Sequence, residues 1–313
     1  VKILLIKPSS LGDVIHALPT VNLIRRQFPH AHLSWLINDN LAPLLRRCPV
    51  IDELIEFRRH SAKSWLPLFV RLRRERFDLV LDLQGLLRSG LMAGVTGAAR
   101  RVGLSDAREG ARWFYNEIVP VTRSHAVNRY LRAAAHLGCP AGAVEFPLGL
   151  ADEPRDNLIA INPSARWATK LWGAEKFRAL AEQLPRDRVV FTGSAAETDW
   201  IDRLAHRYRN MAGKTNLLEL AELYRRCALV VTNDSGPMHL AAAVGTPVVA
   251  IFGATDPALT GPYGDGHIVL RAGISCSPCL KPDCRHQPAM ECMSLVTVEQ
   301  VVAAVQRLLT TSG

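Results

Sequence analysis

The chain has 313 residues and is 48% hydrophobic, which excludes general disorder and suits two domains of ordinary size. No charged leader with a cleavage site precedes the first strand, and the longest weakly polar run, 240–254, is broken by Gly245, Thr246 and Pro247. The expectation is therefore a cytoplasmic protein without a spanning helix. The formal charge of +9 lies wholly in the first half, where residues 1–150 hold 21 Lys+Arg against 12 Asp+Glu, while residues 151–313 hold 17 of each.

Strand-like and helical patterns alternate from the start. The apolar run "VKILLIK" reads as a buried strand, followed by a Ser-Gly turn and a helix from about Asp13 to Phe28. Then come the strand "HLSWLI", a helix near Leu41–Arg47, the strand "DELIEF", a basic helix around Trp65–Arg76, the strand "FDLVLDLQ" and a helix after Gly85. Such alternation predicts parallel strands with crossover helices. Residues 137–157, "LGCPAGAVEFPLGLADEPRDN", collect Gly, Pro and acids without helical periodicity, which places a domain boundary near residue 150.

The second half repeats the pattern: "NLIAINPS", a helix over Ala174–Leu184, "RVVFTGS", helices over Glu197–Tyr208 and Leu217–Cys227, "ALVVTNDSG", a helix over Pro237–Val244, and "PVVAIFG". The fold class is α/β with two Rossmann-like domains, 1–150 and 151–313. Neither carries a G-x-G-x-x-G fingerprint, which points to a cleft enzyme other than a dehydrogenase.

Several strand ends carry chemistry. Asp13, where the first helix opens, would repel phosphate; it is either a helix cap or a general base. Lys7 beside it can orient that carboxylate or hold an anionic substrate group. In the second half Ser164, Thr169 and Lys170 follow one strand, Glu197 follows another, and the Asn-Asp-Ser-Gly turn with Asp234, Ser235 and Gly236 follows a third, with His239 one helical turn on. Ligands bind outside the carboxyl ends of parallel strands, so the Asn-Asp-Ser-Gly turn reads as a diphosphate cradle with Lys170 neutralising the leaving charge; Glu197 either accepts ribose hydroxyls or is an ordinary first-turn acid, and His239 either faces the same cleft or is a core histidine. The chain contains no Asp-x-Asp triplet, so the charge would be balanced without a bound divalent metal. Arg58–Arg112 holds eleven arginines and Lys63 against five acids, which suits an anionic partner. The other reading is a solvated helix face, which "RLRRERFD" also fits.

These segments resemble a known family. "KPSSLGDVIHALP" and "NDSGPMHLAAAVGTPVVAIFG" are similar to the two signature regions of the ADP-heptose:lipopolysaccharide heptosyltransferases. "DLQGLLRSG", "SARWATKLW", "TGSAAE" and "DAREGARWFYN" resemble its mid-domain, donor-phosphate, ribose and first-heptose segments, so the likeness spans nearly the whole chain. The resemblance implies a GT-B fold, with two parallel sheets facing a central cleft. It implies an N-terminal acceptor domain, a C-terminal nucleotide-sugar domain and inverting transfer from ADP-L-glycero-D-manno-heptose to the Kdo/heptose inner core. By the same likeness Asp13 is the base, with Lys7 beside it. Ser164, Thr169 and Lys170 form the phosphate loop, Glu197 meets the ribose, and Asp234, Ser235, Gly236 and His239 surround the diphosphate and heptose. Arg58, Arg59, Lys63, Arg88 and Arg112 are the expected clamp for Kdo-lipid A, and the same charge would draw a monomeric enzyme to the anionic cytoplasmic face of the inner membrane.

Cys276, Cys279, Cys284 and Cys292, with His286 nearby, leave three readings open: a structural Zn or Fe site, reduced thiols, or a disulfide. No cofactor is expected for catalysis. An epimerase would share the two domains but need no basic acceptor face, whereas a protein heptosyltransferase would use the same donor on serines. Nucleic acid is not an expected partner, since no aromatics punctuate the basic segment. First and second heptose transfer are not distinguished.

Overall fold

A computed structural model describes residues 1–58 and 62–311. The chain divides into two compact units, Val1–Leu150 and Ala151–Gly313, each built on a six-stranded sheet whose paired strands all run parallel.

The first sheet contains β1 (Lys2–Ile6), β2 (His32–Asn38), β3 (Glu53–Phe57), β4 (Leu79–Asp82), β5 (Arg100–Leu104) and β6 (Glu117–Val119), in the order β3-β2-β1-β4-β5-β6. The second contains β7 (Ile159–Asn162), β8 (Val189–Phe191), β9 (Arg209–Asn210), β10 (Leu229–Asn233), β11 (Val248–Phe252) and β12 (Ile268–Arg271), in the order β12-β11-β10-β7-β8-β9. Both are the same doubly wound arrangement, and strand order reverses between β1 and β4 and between β7 and β10. Such switch points open crevices at the carboxyl ends of the strands. The strands beside them, "KILLI", "LVLD", "IAIN" and "LVVTN", are buried almost throughout, which explains their unbroken apolar runs.

The first unit's helices are α1 (Leu11–Gln27), α2 (Trp65–Arg74), α3 (Leu87–Thr96) and α4 (Ala126–His136). The second unit carries α5 (Ala174–Glu182), α6 (Thr198–Ala205), α7 (Leu217–Arg226), α8 (Gly236–Ala243), α9 (Pro257–Thr260), α10 (Glu291–Ser294) and α11 (Val298–Thr311). Some boundaries differ from the sequence reading. The Leu41–Arg47 segment contributes only a 3₁₀ turn, Ala42–Leu45. Residues 195–197 are a 3₁₀ turn leading into α6, which ends at Ala205. The helix expected near Asp13 begins at Leu11, with Ser10 as its cap residue.

β5 makes room for one polar core contact. A Cβ on Gly103 would come within 2.2 Å of the Tyr115 ring, whose hydroxyl donates to the buried Asp82 carboxylate at 2.6 Å. Gly103→Ala should therefore displace Tyr115 and lower stability by about 1–3 kcal/mol, as overpacked cores do. A lower urea midpoint with unchanged slope is the expected readout.

Candidate active site

The first switch point gathers Lys7, Asp13 and Tyr130. Asp13, the third residue of α1, closes a capping box: its Oδ2 accepts from the Ser10 amide at 3.1 Å and the Ser10 hydroxyl at 2.8 Å. Its Oδ1 accepts from the Tyr130 hydroxyl at 3.2 Å and lies 3.8 Å from Lys7 Nζ. Lys7 is only 3% exposed, while the Asp13 side chain is 36% exposed, so the cation is enclosed and the carboxylate remains reachable. Burial favours the neutral acid, but Lys7, the two Ser10 donors and Tyr130 outweigh it and hold Asp13 below the ordinary aspartate range. Burial likewise opposes the Lys7 charge, yet Tyr130 and Asp13 raise its pKa. Cap and charged site are thus the same carboxylate.

A cavity of about 380 Å³ opens at the ends of β4 and β5, lined by Asp82, Gln84, Gly85, Asp106, Arg108 and Arg129 among others. Gln84 Oε1 accepts from the Ser9 amide at 3.3 Å, so the cavity wall adjoins the loop that carries Asp13. Arg129 pairs with Asp106 at 3.0 Å and donates to Tyr130 Oη at 3.2 Å, while its buried Nε has no hydrogen-bond partner among the described residues. Asp82 is fully buried; burial raises its pKa against donors from Tyr115, Ser89, Gly85 and Gln84. Arg108 makes no ion pair among the described residues, which leaves the cavity one uncompensated guanidinium. Of the arginines predicted from charge density, Arg58 is exposed and pairs with Asp39 at 3.3 Å. Lys63 and Arg112 are exposed on 3₁₀ turns, and Arg88 sits in the first turn of α3. None of these four lines the cavity. Arg59 lies outside the described residues.

The second switch point carries Lys170, Asp234 and Ser235. Lys170 Nζ contacts Asp234 Oδ2 at 2.6 Å, with the two side chains 18% and 4% exposed, and it lies 4.9 Å from the Trp167 ring centroid. Thr255 donates a second bond to the same carboxylate oxygen. Ser235 occupies the position before α8 without a side-chain capping bond; the helix opens with Gly236 and Pro237, and His239 is buried in that first turn. Ser164 Oγ is buried without a partner among the described residues, which fits a hydroxyl awaiting a ligand oxygen. The Thr169 hydroxyl donates instead to the Lys281 carbonyl at 2.7 Å. Glu197 Oε2 accepts from the Ser194 amide and hydroxyl at 2.7 and 2.8 Å, the same box that Ser10 and Asp13 form.

Residues 65–290 match the family model described as glycosyltransferase family 9 (heptosyltransferase). The chain belongs to glycosyltransferase family 9. A lipopolysaccharide heptosyltransferase 1 of Pseudomonas aeruginosa is 33% identical, the match covering 93% of this chain and 89% of that protein. A family 9 structure from Veillonella parvula superposes with a TM-score of 0.83 at 26% identity, covering 99% and 97% of the two chains. The E. coli heptosyltransferase WaaC with ADP superposes with a TM-score of 0.81 at 24% identity, covering both chains fully. This family 9 glycosyltransferase has the GT-B fold.

The family 9 chain keeps its cysteine loop close to the strand ends of the second sheet. Cys276, Cys279, Cys284 and Cys292 line one cavity of about 250 Å³ together with Thr169, Gly253 and His286. All seven cysteines are free. The Zn or Fe reading, one of the three the sequence left open, gains no support here: among the described residues no three His, Cys, Asp or Glu side chains are grouped to hold a metal ion. His286 is instead engaged by Glu291 at 2.6 Å. Hydrogen bonds fasten the loop, from Ser277 Oγ to the Gly253 carbonyl and from the Leu280 amide to the Ala254 carbonyl, both 2.7 Å. Cys292 and Met293 pack where a Cβ on Gly253 would sit.

Tyr130, Arg108 and Arg129 escaped the sequence reading. "SHAVNRYLR" offers no local mark of a site, and its position beside Asp13 arises only when α4 packs on α1. Among the described residues no helix is long and apolar enough to cross a membrane.

Proposed function

We infer that this glycosyltransferase moves a heptose from ADP-L-glycero-D-manno-heptose onto the Kdo/heptose inner core of lipopolysaccharide, with inversion and without a catalytic metal. The observation that carries the reading is the reachable Asp13 carboxylate, kept ionised beside the enclosed Lys7. In one displacement the acceptor oxygen bonds to the anomeric carbon and its proton passes to Asp13. The bond from that carbon to the diphosphate oxygen breaks, and ADP leaves with the electron pair. In the C-terminal domain Lys170 neutralises charge on the leaving diphosphate while keeping Asp234, since an ammonium has three donors. Ser164, Ser235 and the amides opening α8 supply further donors, with Glu197 at the ribose and His239 at the sugar. The capped first turn of α1 faces an acceptor hydroxyl in this reading, which resolves the misfit between an aspartate and a phosphate-binding turn.

The acceptor is a sugar bearing carboxylate, attached to phosphorylated lipid. Arg108 is its principal partner, because a guanidinium without a carboxylate partner among the described residues suits a carboxylate ligand, and Arg129, which lines the same cavity while paired with Asp106, adds positive charge beside it. Arg58, Arg59, Lys63, Arg88 and Arg112 contribute field toward the anionic lipid A and the cytoplasmic face of the inner membrane. Arg108→Ala should raise the KM for Kdo-lipid A about tenfold or more, as expected for a lost charged hydrogen bond, and leave the KM for ADP-heptose unchanged. An unchanged acceptor KM would remove Arg108 from the clamp. Turnover on serine peptides but not on Kdo-lipid A would favour the protein-glycosylating alternative.

A further inference from the structure

We propose that Tyr130 is a positioning residue that links the acceptor cavity to the catalytic base, an inference that rests on Asp13 acting as that base. The tyrosine is fully buried, yet its hydroxyl serves two charged groups. It donates to Asp13 Oδ1 at 3.2 Å and accepts from Arg129 Nη2 at 3.2 Å. Lys7 and Arg129 also lie over the ring, 5.2 and 5.0 Å from its centroid. A tyrosine used only for packing would need one partner for its hydroxyl; this one stands between two cations and an anion.

The geometry gives that hydroxyl a task. Both Ser10 donors fall on Asp13 Oδ2, so Tyr130 supplies the hydrogen bond that fixes Oδ1. Fixing one oxygen sets the carboxylate's rotation about its last bond and directs the remaining Oδ1 lone pair toward an acceptor hydroxyl. Arg129 lines the cavity and touches the same hydroxyl. An acceptor carboxylate that draws Arg129 toward itself therefore acts on the orientation of the base through one shared atom.

The charged groups around Asp13 are Lys7 at the end of β1, Tyr130 and Arg129 on α4, and Asp106, which pairs with Arg129. One turn along α1, His16 meets His125 of the α4 cap edge to face at 5.2 Å. Removing the Tyr130 hydroxyl takes a donor from the ionised form of Asp13 while burial stays, so the carboxyl's pKa rises. Activity that needs the ionised base then fades at a higher pH as acid is added.

The test compares wild type, Tyr130→Phe, Asp13→Asn and the double variant with saturating ADP-heptose and Kdo-lipid A across pH, with a melting curve for each. Tyr130→Phe keeps the ring between its two cations and is expected to melt as a folded protein. Its kcat should fall about 10- to 100-fold, its donor KM should hold, and its acid limb should move to higher pH. Added to Asp13→Asn it should cost nothing further, because the group it positions is gone. An unmoved acid limb, or an equal loss in both backgrounds, would show a packing residue and overturn the proposal. Near-normal turnover by Asp13→Asn alone would overturn the base assignment, and the positioning role with it.

Discussion

Asp13→Asn should lose about 10² to 10⁴ in kcat, the usual worth of a positioned general base, while binding ADP-heptose as wild type does. Asparagine is the informative replacement because it keeps one of the two roles that Asp13 plays. Its amide oxygen still accepts from the Ser10 amide, the third-position half of the capping box, so the first turn of α1 stays closed. What disappears is the proton acceptor and the countercharge for Lys7. With only 3% of its side chain exposed, Lys7 then keeps Tyr130 but loses its carboxylate, and burial drives its pKa down. A lower melting temperature should accompany the lost turnover and recede as pH rises and Lys7 becomes neutral. Turnover within a few-fold of wild type would show that Asp13 is a cap alone. The wild-type pH profile follows from the same geometry. Asp13 is held below the ordinary aspartate range, so it is ionised throughout the neutral region and any loss of activity from its protonation lies on the acid side of ordinary aspartate titration.

Lys170→Ala should be nearly as damaging in the other domain. Asp234 is 4% exposed and its charge faces Lys170 at 2.6 Å; removing one member of a buried pair typically costs about 3–5 kcal/mol. The partial exposure of Lys170 places the expected loss at the lower end, about 3 kcal/mol. Transfer should fall about 10² to 10³, as when a group stabilising developing negative charge is deleted, with a raised KM for ADP-heptose. Pairing Lys170→Met with Asp234→Asn separates structure from chemistry. The neutral pair should recover most of the melting temperature and none of the turnover. Recovery of both would show that Lys170 serves Asp234 and not the diphosphate.

The two switch points were legible because each strand beside them is a near-continuous apolar run followed by small or charged residues. The edges were less so. β5 opens with Arg100 and Arg101 and β6 begins at Glu117; their buried residues alone are too few to mark a strand. Asp13 presented two alternatives in the sequence, cap or base, and the fold makes them compatible, since Ser10 takes one oxygen and Lys7 with Tyr130 the other. The arginine count marked the first unit as the basic one but not which of its arginines are compensated. Arg58 is compensated by Asp39 and Arg129 by Asp106, whereas Arg108 has no such partner among the described residues, and that difference is set by packing between distant segments. The cysteine spacing left metal, reduced thiols and a disulfide open; all seven cysteines are free, and the loop is fastened by the Ser277 hydroxyl and the Leu280 amide on backbone carbonyls and by sulfur packing on Gly253.

The measurement that bears most directly on the central claim is ADP release from ADP-heptose by the purified protein, with and without Kdo-lipid A, in the presence of EDTA. The account predicts release that requires Kdo-lipid A and continues undiminished in EDTA. Demonstrated donor binding with no acceptor-dependent release, or release abolished by EDTA and restored by a divalent metal, would contradict it.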